Sequence, residues 1–347
     1  VILGNGAAGF NAAKAIRERD KTGAVTMISN EPYPSYNRPM LTKSIVAGLS
    51  AEQIAIEGQD WYEKNQVYQI LGKSVSSIDM KAGEVVLDDG ARLHFTRLIY
   101  ALRSECFIPP MEGNTLPEVV AIRRLSDVEK VENIMKEAKK AVVIGGGVLG
   151  LEAAWELKKG GLDVQVLEVA PVLMGRQLDS ESAEILKETA RKNGVEIRTG
   201  VSVAAVEGTD HVTGVRLSDG EVCPADLVII SAGVRANAGL AAQTGAQTDR
   251  GVVVNSRMET SLPFVYACGD CAEYQGLNYA IWPEAVEQGR IAGANAAGEA
   301  LEYEPVAAAL TFHGMNTALF AAGDNGKNPN LLYKTVEFKD MGKGQYR

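Results

Sequence analysis

A glycine pattern that occurs twice is the strongest constraint on how this chain folds. Val1-Ile2-Leu3-Gly4-Asn5-Gly6-Ala7-Ala8-Gly9 leads into a stretch holding Ala12-Ala13, and Val142-Val143-Ile144-Gly145-Gly146-Gly147-Val148-Leu149-Gly150 leads into one holding Ala153-Ala154. Each copy reads as a strand, a tight turn and a helix. In G-x-G-x-x-G the first glycine permits the turn, the second lets the backbone approach a pyrophosphate, and the third lets the helix pack against the strand. The free N–H groups at the helix start then face the phosphates. One such match says little, because any glycine turn can produce it. Two matches, each after an apolar run and each opening a helix, point to two bound dinucleotides.

The repetition extends beyond the turns. Val86-Leu87-Asp88-Asp89-Gly90 leads to Leu98-Ile99-Tyr100-Ala101, and Arg216-Leu217-Ser218-Asp219-Gly220 leads to Val228-Ile229-Ile230-Ser231. Asp-Gly between alternating apolar residues signals a hairpin, and the later run reads as a buried strand. Each half is therefore a βαβ start, a hairpin and a closing strand. A solenoid is excluded by the two copies and the long period.

A dinucleotide turn also expects an acidic residue about 20 positions on, for the adenosine ribose. In the first copy the strand Val25 to Ser29 runs into Asn30-Glu31, which makes Glu31 the candidate. In the second, Val164 to Leu167 ends at Glu168, followed by Val169 and no adjacent Arg. A carboxylate there bonds ribose hydroxyls and repels a 2′-phosphate, so NADH is favoured over NADPH, although Arg176 nearby tempers the preference.

Bulk properties narrow the partners. The chain has 347 residues and a net charge of −9, with no basic block to neutralise phosphates, which argues against nucleic acid. Its longest apolar runs are strand-sized, so no membrane span is expected. Four cysteines in this length do not form a disulfide framework, and a cytoplasmic setting is the expectation. The chain opens inside an apolar run without Met, so the sequence does not say whether either terminus is native.

The motifs taken together resemble the FAD-dependent pyridine nucleotide-disulfide oxidoreductase superfamily, and more narrowly rubredoxin reductases, the NADH-binding part of assimilatory nitrite reductases and putidaredoxin-type reductases. The most specific segment is Thr260-Ser261-Leu262-Pro263-Phe264-Val265-Tyr266-Ala267-Cys268-Gly269-Asp270, similar to the family's second FAD motif, in which the Gly-Asp ends a strand and the Asp holds the ribityl chain. It is followed by Trp282-Pro283-Glu284-Ala285, which in the family opens a helix whose N-terminus faces the flavin. The resemblance implies an α/β fold with two Rossmann-like three-layer dinucleotide-binding domains, the NAD domain inserted in the FAD domain. The expected boundaries are 1–104 and 225–305 for FAD, 105–224 for NAD, and 306–347 for a small α+β C-terminal interface domain that reads as incomplete. In that last part, Leu310 to Phe312 and Leu331 to Phe338 read as strands.

The same resemblance assigns Gly4, Gly6, Ala8, Gly9, Glu31, Arg38, Lys43, Gly269, Asp270 and Glu284 to FAD, and Gly145, Gly147, Leu149, Gly150, Glu152, Glu168 and Gly233 to NAD. Disulfide reductases of the superfamily carry cysteine soon after the first ribose-binding strand. Here that stretch runs Tyr33-Pro34-Ser35-Tyr36-Asn37-Arg38-Pro39-Met40-Leu41-Thr42-Lys43 and holds no sulfur nucleophile. It resembles instead the Arg-Pro-x-Leu-(Ser/Thr)-Lys pattern, whose Lys lies beside the flavin and pairs with a Glu of the NAD-domain helix. Lys43 and Glu152 are the matching catalytic candidates. Cys268-x-x-Cys271 surrounds the FAD-assigned Gly-Asp, has no second pair and has only scattered histidines, so redox or metal duty is not expected of it. One departure stands out: the family's glycine turn after the strand near Ala101 reads Ala101-Leu102-Arg103-Ser104, whereas the repeat puts Gly233 at the matching position. Arg103 is expected to crowd FAD. The implied activity is electron transfer from NADH through FAD to rubredoxin or a similar iron–sulfur protein, with dioxygen as the alternative acceptor. A homodimer, or a subunit or redox sensor within a larger complex, is the remaining possibility.

Overall fold

The computed structural model describes residues 1–305, 309–323, 330–334, 336–340 and 345–346. Two five-stranded parallel sheets carry the fold. The first runs Val265–Ala267, Leu98–Tyr100, Ile2–Leu3, Val25–Ser29, Val67–Leu71. The second runs Val119–Val120, Leu227–Ile230, Lys140–Ile144, Asp163–Glu168, Val195–Thr199. Both follow one plan: the strand feeding the glycine turn is central, the acidic-ended strand lies on one side and the closing strand on the other. Their near-continuous Val, Ile and Leu content suits strands covered on both faces. A three-stranded antiparallel meander precedes each closing strand, at Val75–Asp79, Glu84–Leu87 and Arg92–His94, and at Val203–Gly208, Val212–Leu217 and Val222–Pro224.

The two units are stitched together rather than strung in line. An antiparallel ribbon, Ser104–Cys106 against Val234–Ala236, carries the chain out and back. Leu227–Ile230 pairs with Lys140–Ile144 and so belongs to the second sheet, not to the first unit in which the boundary at 225 would put it. The apolar pattern of this strand is the same on either assignment; its register against Ala141–Ile144 decides. In the other direction, the helix Leu41–Ala47 buries Leu41 and Ile45 in the core of the second unit, beside Leu151 and Ala154. Each such burial contributes about 1.5–3 kcal/mol, so the segment fastens the units to one another.

In the first unit the helix Ala7–Arg19 packs on Trp282–Ala296 at backbone contact. A Cβ on Gly289 would stand 2.2 Å from the Ala8 carbonyl oxygen, and one on Gly293 would stand 2.2 Å from that of Ala12. Ala309–Gly314 and Thr317–Ala322 form a hairpin whose Phe312 enters the second core. The described part of Leu331 to Phe338 forms no strand, contrary to expectation. Leu332 and Val336 stand exposed there, so their apolar character is not used in packing among the described residues.

Candidate active site

The two glycine turns are near copies in three dimensions. Gly4 has φ +109° and Gly145 φ +116°, values that L side chains rarely adopt. A Cβ on Gly4 would lie 2.1 Å from the Ala101 carbonyl oxygen, and one on Gly145 would lie 2.2 Å from that of Ser231. Each turn thus leans on the end of its closing strand. The second glycines differ in kind: around Gly6 and Gly147 a Cβ would meet nothing within 4 Å. Both are helix N-caps without a side-chain cap, and neither helix has an acidic residue in its first turn. Unpartnered N–H groups facing open space at a helix start suit a phosphate.

Both turns border one cleft of about 450 Å³, whose walls include Gly6 and Ala8 from the first unit and Leu149 and Glu152 from the second. Gly269, at φ +72°, sits against Ala8 at a distance where a Cβ would be 2.7 Å from the Ala8 Cβ, so the second FAD-type motif meets the first glycine helix. The Gly269 N–H donates to Gln288 Oε1 at 2.9 Å. Asp270 borders the cleft too; its carboxylate accepts from Ser104 Oγ at 3.0 Å and pairs with Arg123. Ser104 and Arg123 carried no signal in sequence, since the tandem Arg123-Arg124 does not say which guanidinium turns inward.

The acidic residues after the turns are placed differently. Glu168 is pinned at its own turn: Oε2 accepts the Gly146 N–H at 2.6 Å and Oε1 the Ala170 N–H at 2.7 Å. Glu31 is buried in an ion cluster, accepting from Tyr36 Oη at 2.6 Å and from Arg38 Nη2 at 2.5 Å, with Arg103 on the same oxygen as Arg38. Burial works to raise its pKa, but the charges of Arg38 and Arg103 outweigh that and hold the carboxyl below its ordinary range. Arg38 also donates to the Arg123 carbonyl at 2.6 Å and lies over the Tyr36 ring.

Two expectations need correcting. Lys43 makes no ion pair with Glu152; Thr42 Oγ1 instead donates to Glu152 Oε2 at 3.0 Å. Adjacent helix positions point about 100° apart, and buried Thr42 is the one aimed across at the Val148–Lys159 helix. Lys43 stays close enough for its charge to act on Glu152. Burial nevertheless leaves the Glu152 carboxyl above its ordinary range, with Thr42 and Lys43 opposing it. Glu284, expected at the flavin, is buried with its carboxylate on the Tyr303 hydroxyl, while its neighbours Pro283 and Ala285 border the cleft. In the first helical turn, two residues facing the cleft leave the third facing the core.

Cys268 and Cys271 are buried thiols not joined in a disulfide. Burial pushes Cys271 up to about 12 and Cys268 well above the ordinary thiol value, so neither is a ready nucleophile. Gly233, at φ +97°, leaves open space where the second nucleotide would pass. Arg103, at the matching place in the first unit, is an arginine at φ +66°. Its guanidinium also donates to Asn5 Oδ1 at 2.8 Å and to Ser29 Oγ at 3.2 Å. Burial and the nearby Arg38 lower its pKa to about 10, still charged at neutral pH. The open turn at Gly6 and the polar rim at Asp270 fit a flavin dinucleotide, and Arg103 stands between this cleft and the cavity beside Gly4 and Ser29.

Known proteins share this fold and sequence pattern. Residues 1–289 match the model of the pyridine nucleotide-disulphide oxidoreductase family. The chain is 34% identical over its whole length to the NAD(P)H nitrite reductase of Bacillus subtilis, of which it spans 43%. It is 32% identical to the NADH oxidase of Methanocaldococcus jannaschii, covering 93% of this chain and 74% of that one. The crystal structure of NADH:rubredoxin oxidoreductase from Clostridium acetobutylicum superposes with a TM-score of 0.82 at 30% identity, covering 98% of this chain and 85% of that one. The chain belongs to the pyridine nucleotide-disulphide oxidoreductase family, a group of flavoenzymes whose two nucleotides are FAD and NAD(P)H.

Proposed function

We propose that this chain takes reducing equivalents from NADH through FAD and passes them to an external acceptor, rubredoxin or a similar small iron–sulfur protein. The observation that carries the reading is the shared cleft. Both glycine turns open on it, so nucleotides held by their phosphates at the turns would bring their reactive rings together between the units. When bound, FAD supplies the redox chemistry, and the protein supplies position and charge. Gly4, Gly6, Ala8 and Gly9 hold the flavin pyrophosphate, and Gly269 and Asp270 its ribityl chain. Gly145, Gly147, Leu149 and Gly150 hold that of NADH, with Glu168 on its adenosine ribose and Gly233 leaving room for its passage. Glu152, steadied by Thr42, borders the cleft between the two turns, and Lys43 beside it adds positive charge where negative charge arrives.

A second reading, an electron-input module within a larger protein, is favoured by the B. subtilis nitrite reductase, less than half of which this chain spans. One experiment separates these. Flavin-loaded protein is mixed anaerobically with NADH while the visible flavin band is followed, and rubredoxin or air is then added. Rapid bleaching and rapid recovery with rubredoxin support the proposal. Recovery with air alone makes the protein an oxidase, reduced flavin stable to both favours the module, and no bleaching refutes all three.

A further inference from the structure

The cleft shared by the glycine turns has a neighbour, a cavity of about 330 Å³ bordered by Gly4, Ser29, Asn30, Lys73, Ser74 and Val75. Arg103 borders both cavities. Its side chain is only 11% exposed, and it spans from Asn5 on the first turn to Ser29 and Glu31 at the end of the adjoining strand. A dinucleotide laid along this turn, phosphates at Gly6 and ribose toward Glu31, needs the space the guanidinium fills.

Three observations show that the obstruction is separable from the fold. The matching residue of the second unit is Gly233, around which a Cβ would meet nothing within 4 Å, so the same strand end is completed there without a side chain. The φ of +66° at Arg103 is one a glycine adopts freely and an arginine does not. Glu31 would keep Arg38 and Tyr36 as partners if Arg103 withdrew, so the buried carboxylate would not be orphaned.

We propose that Arg103 is a displaceable partition across the flavin-nucleotide bed, so that FAD binds this chain as an exchangeable ligand in competition with the Arg103–Glu31 ion pair. FMN, which lacks the adenosine half, has no need to displace the partition. The inference rests on reading the Gly4–Gly9 turn as the FAD bed.

The test is direct titration of flavin-stripped protein with FAD and with FMN, followed by flavin fluorescence, for the wild type, R103G and R103N. Asn tolerates positive φ and is too short to reach Glu31, so R103N carries the test if R103G does not fold; melting of each stripped protein checks this. The expected result is FAD affinity raised at least tenfold by either substitution, FMN affinity changed by less than threefold, and faster loss of FAD from the wild type on dilution. FAD affinity unchanged or weakened by both substitutions would overturn the partition. Failure of every chain to take up either flavin would overturn the assignment of the bed, and the partition with it.

Discussion

Replacing Thr42 with Val tests how the two units are joined at the cleft. Val is close in volume to Thr, so the packing of this buried position is kept while the hydroxyl that donates to Glu152 Oε2 at 3.0 Å is lost. A hydrogen bond to a charged group contributes about 1.5–3 kcal/mol; the partial exposure of Glu152 argues for the lower end. The loss depends on pH. Burial already holds the Glu152 carboxyl above its ordinary range, so the native state binds a proton more readily than the unfolded chain, and stability falls as pH rises from the unfolded carboxylate pKa through the folded one. Removing the Thr42 donor raises the folded pKa further and deepens that fall. Above both values T42V should lose the full ~1.5 kcal/mol or more. At pH 4, where the carboxyl is mostly protonated in both states, the gap should shrink toward the ~0.5–1 kcal/mol of a neutral hydrogen bond. Melting of wild type, T42V and T42S from pH 4 to 8 reads this directly, at roughly 2–4 °C per kcal/mol, with T42S restoring most of the loss. A deficit of the same size at every pH would refute the reasoning, since it would make Thr42 a packing residue only.

The second glycines give a cleaner separation of fold from binding. Both have extended N-cap geometry and open surroundings, so G6V and G147V should melt within about 0.5 kcal/mol of wild type while abolishing FAD and NADH binding respectively; a G147V that loses flavin but binds NADH would reverse the assignment of the two turns. In E168Q the two backbone donors keep an acceptor on only one side-chain atom and the negative charge is gone, so NADH should bind more weakly and the NADH over NADPH preference should drop about tenfold, measured as a ratio of dissociation constants; an unchanged ratio refutes the ribose role. The double variant C268A/C271A should leave the rate of flavin reduction by NADH within twofold in stopped-flow, whereas a large loss would show that these thiols carry electrons after all.

What the sequence made legible follows from what each residue type is free to do. Gly4 and Gly145 were readable because a positive φ against a strand-end carbonyl leaves few other choices, and the two copies share even the distance to that carbonyl. The order of the strands within each sheet was not read from the sequence and comes from the register of the structure. Partner choice among charged side chains was not readable. Glu152 faces both Thr42 and Lys43 across a helix pair, and a rotation of about 100° between them decides which one bonds it. Glu284 was misplaced by a similar angle, on a helix whose residues Trp282, Pro283 and Ala285 border the cleft. Arg103 was legible as a departure because its partner position in the repeat is Gly233, but only the structure brings it to Glu31.

The order of the strands also governs how the chain comes off the ribosome. Leu98–Tyr100 stands as a bare apolar edge until Val265–Ala267 arrives to cover it, and Ala7–Arg19 lacks its helical mate until Trp282–Ala296 has been made. At 5–20 residues per second the wait is roughly 10–30 s, during which the half that begins translation cannot be finished, while the inserted half can already pair its five strands and waits only for the hairpin that brings Phe312. A newborn chain of this design is most exposed to aggregation in its oldest residues, and a truncation upstream of residue 296 should harm the N-terminal unit more than the one nearer the cut.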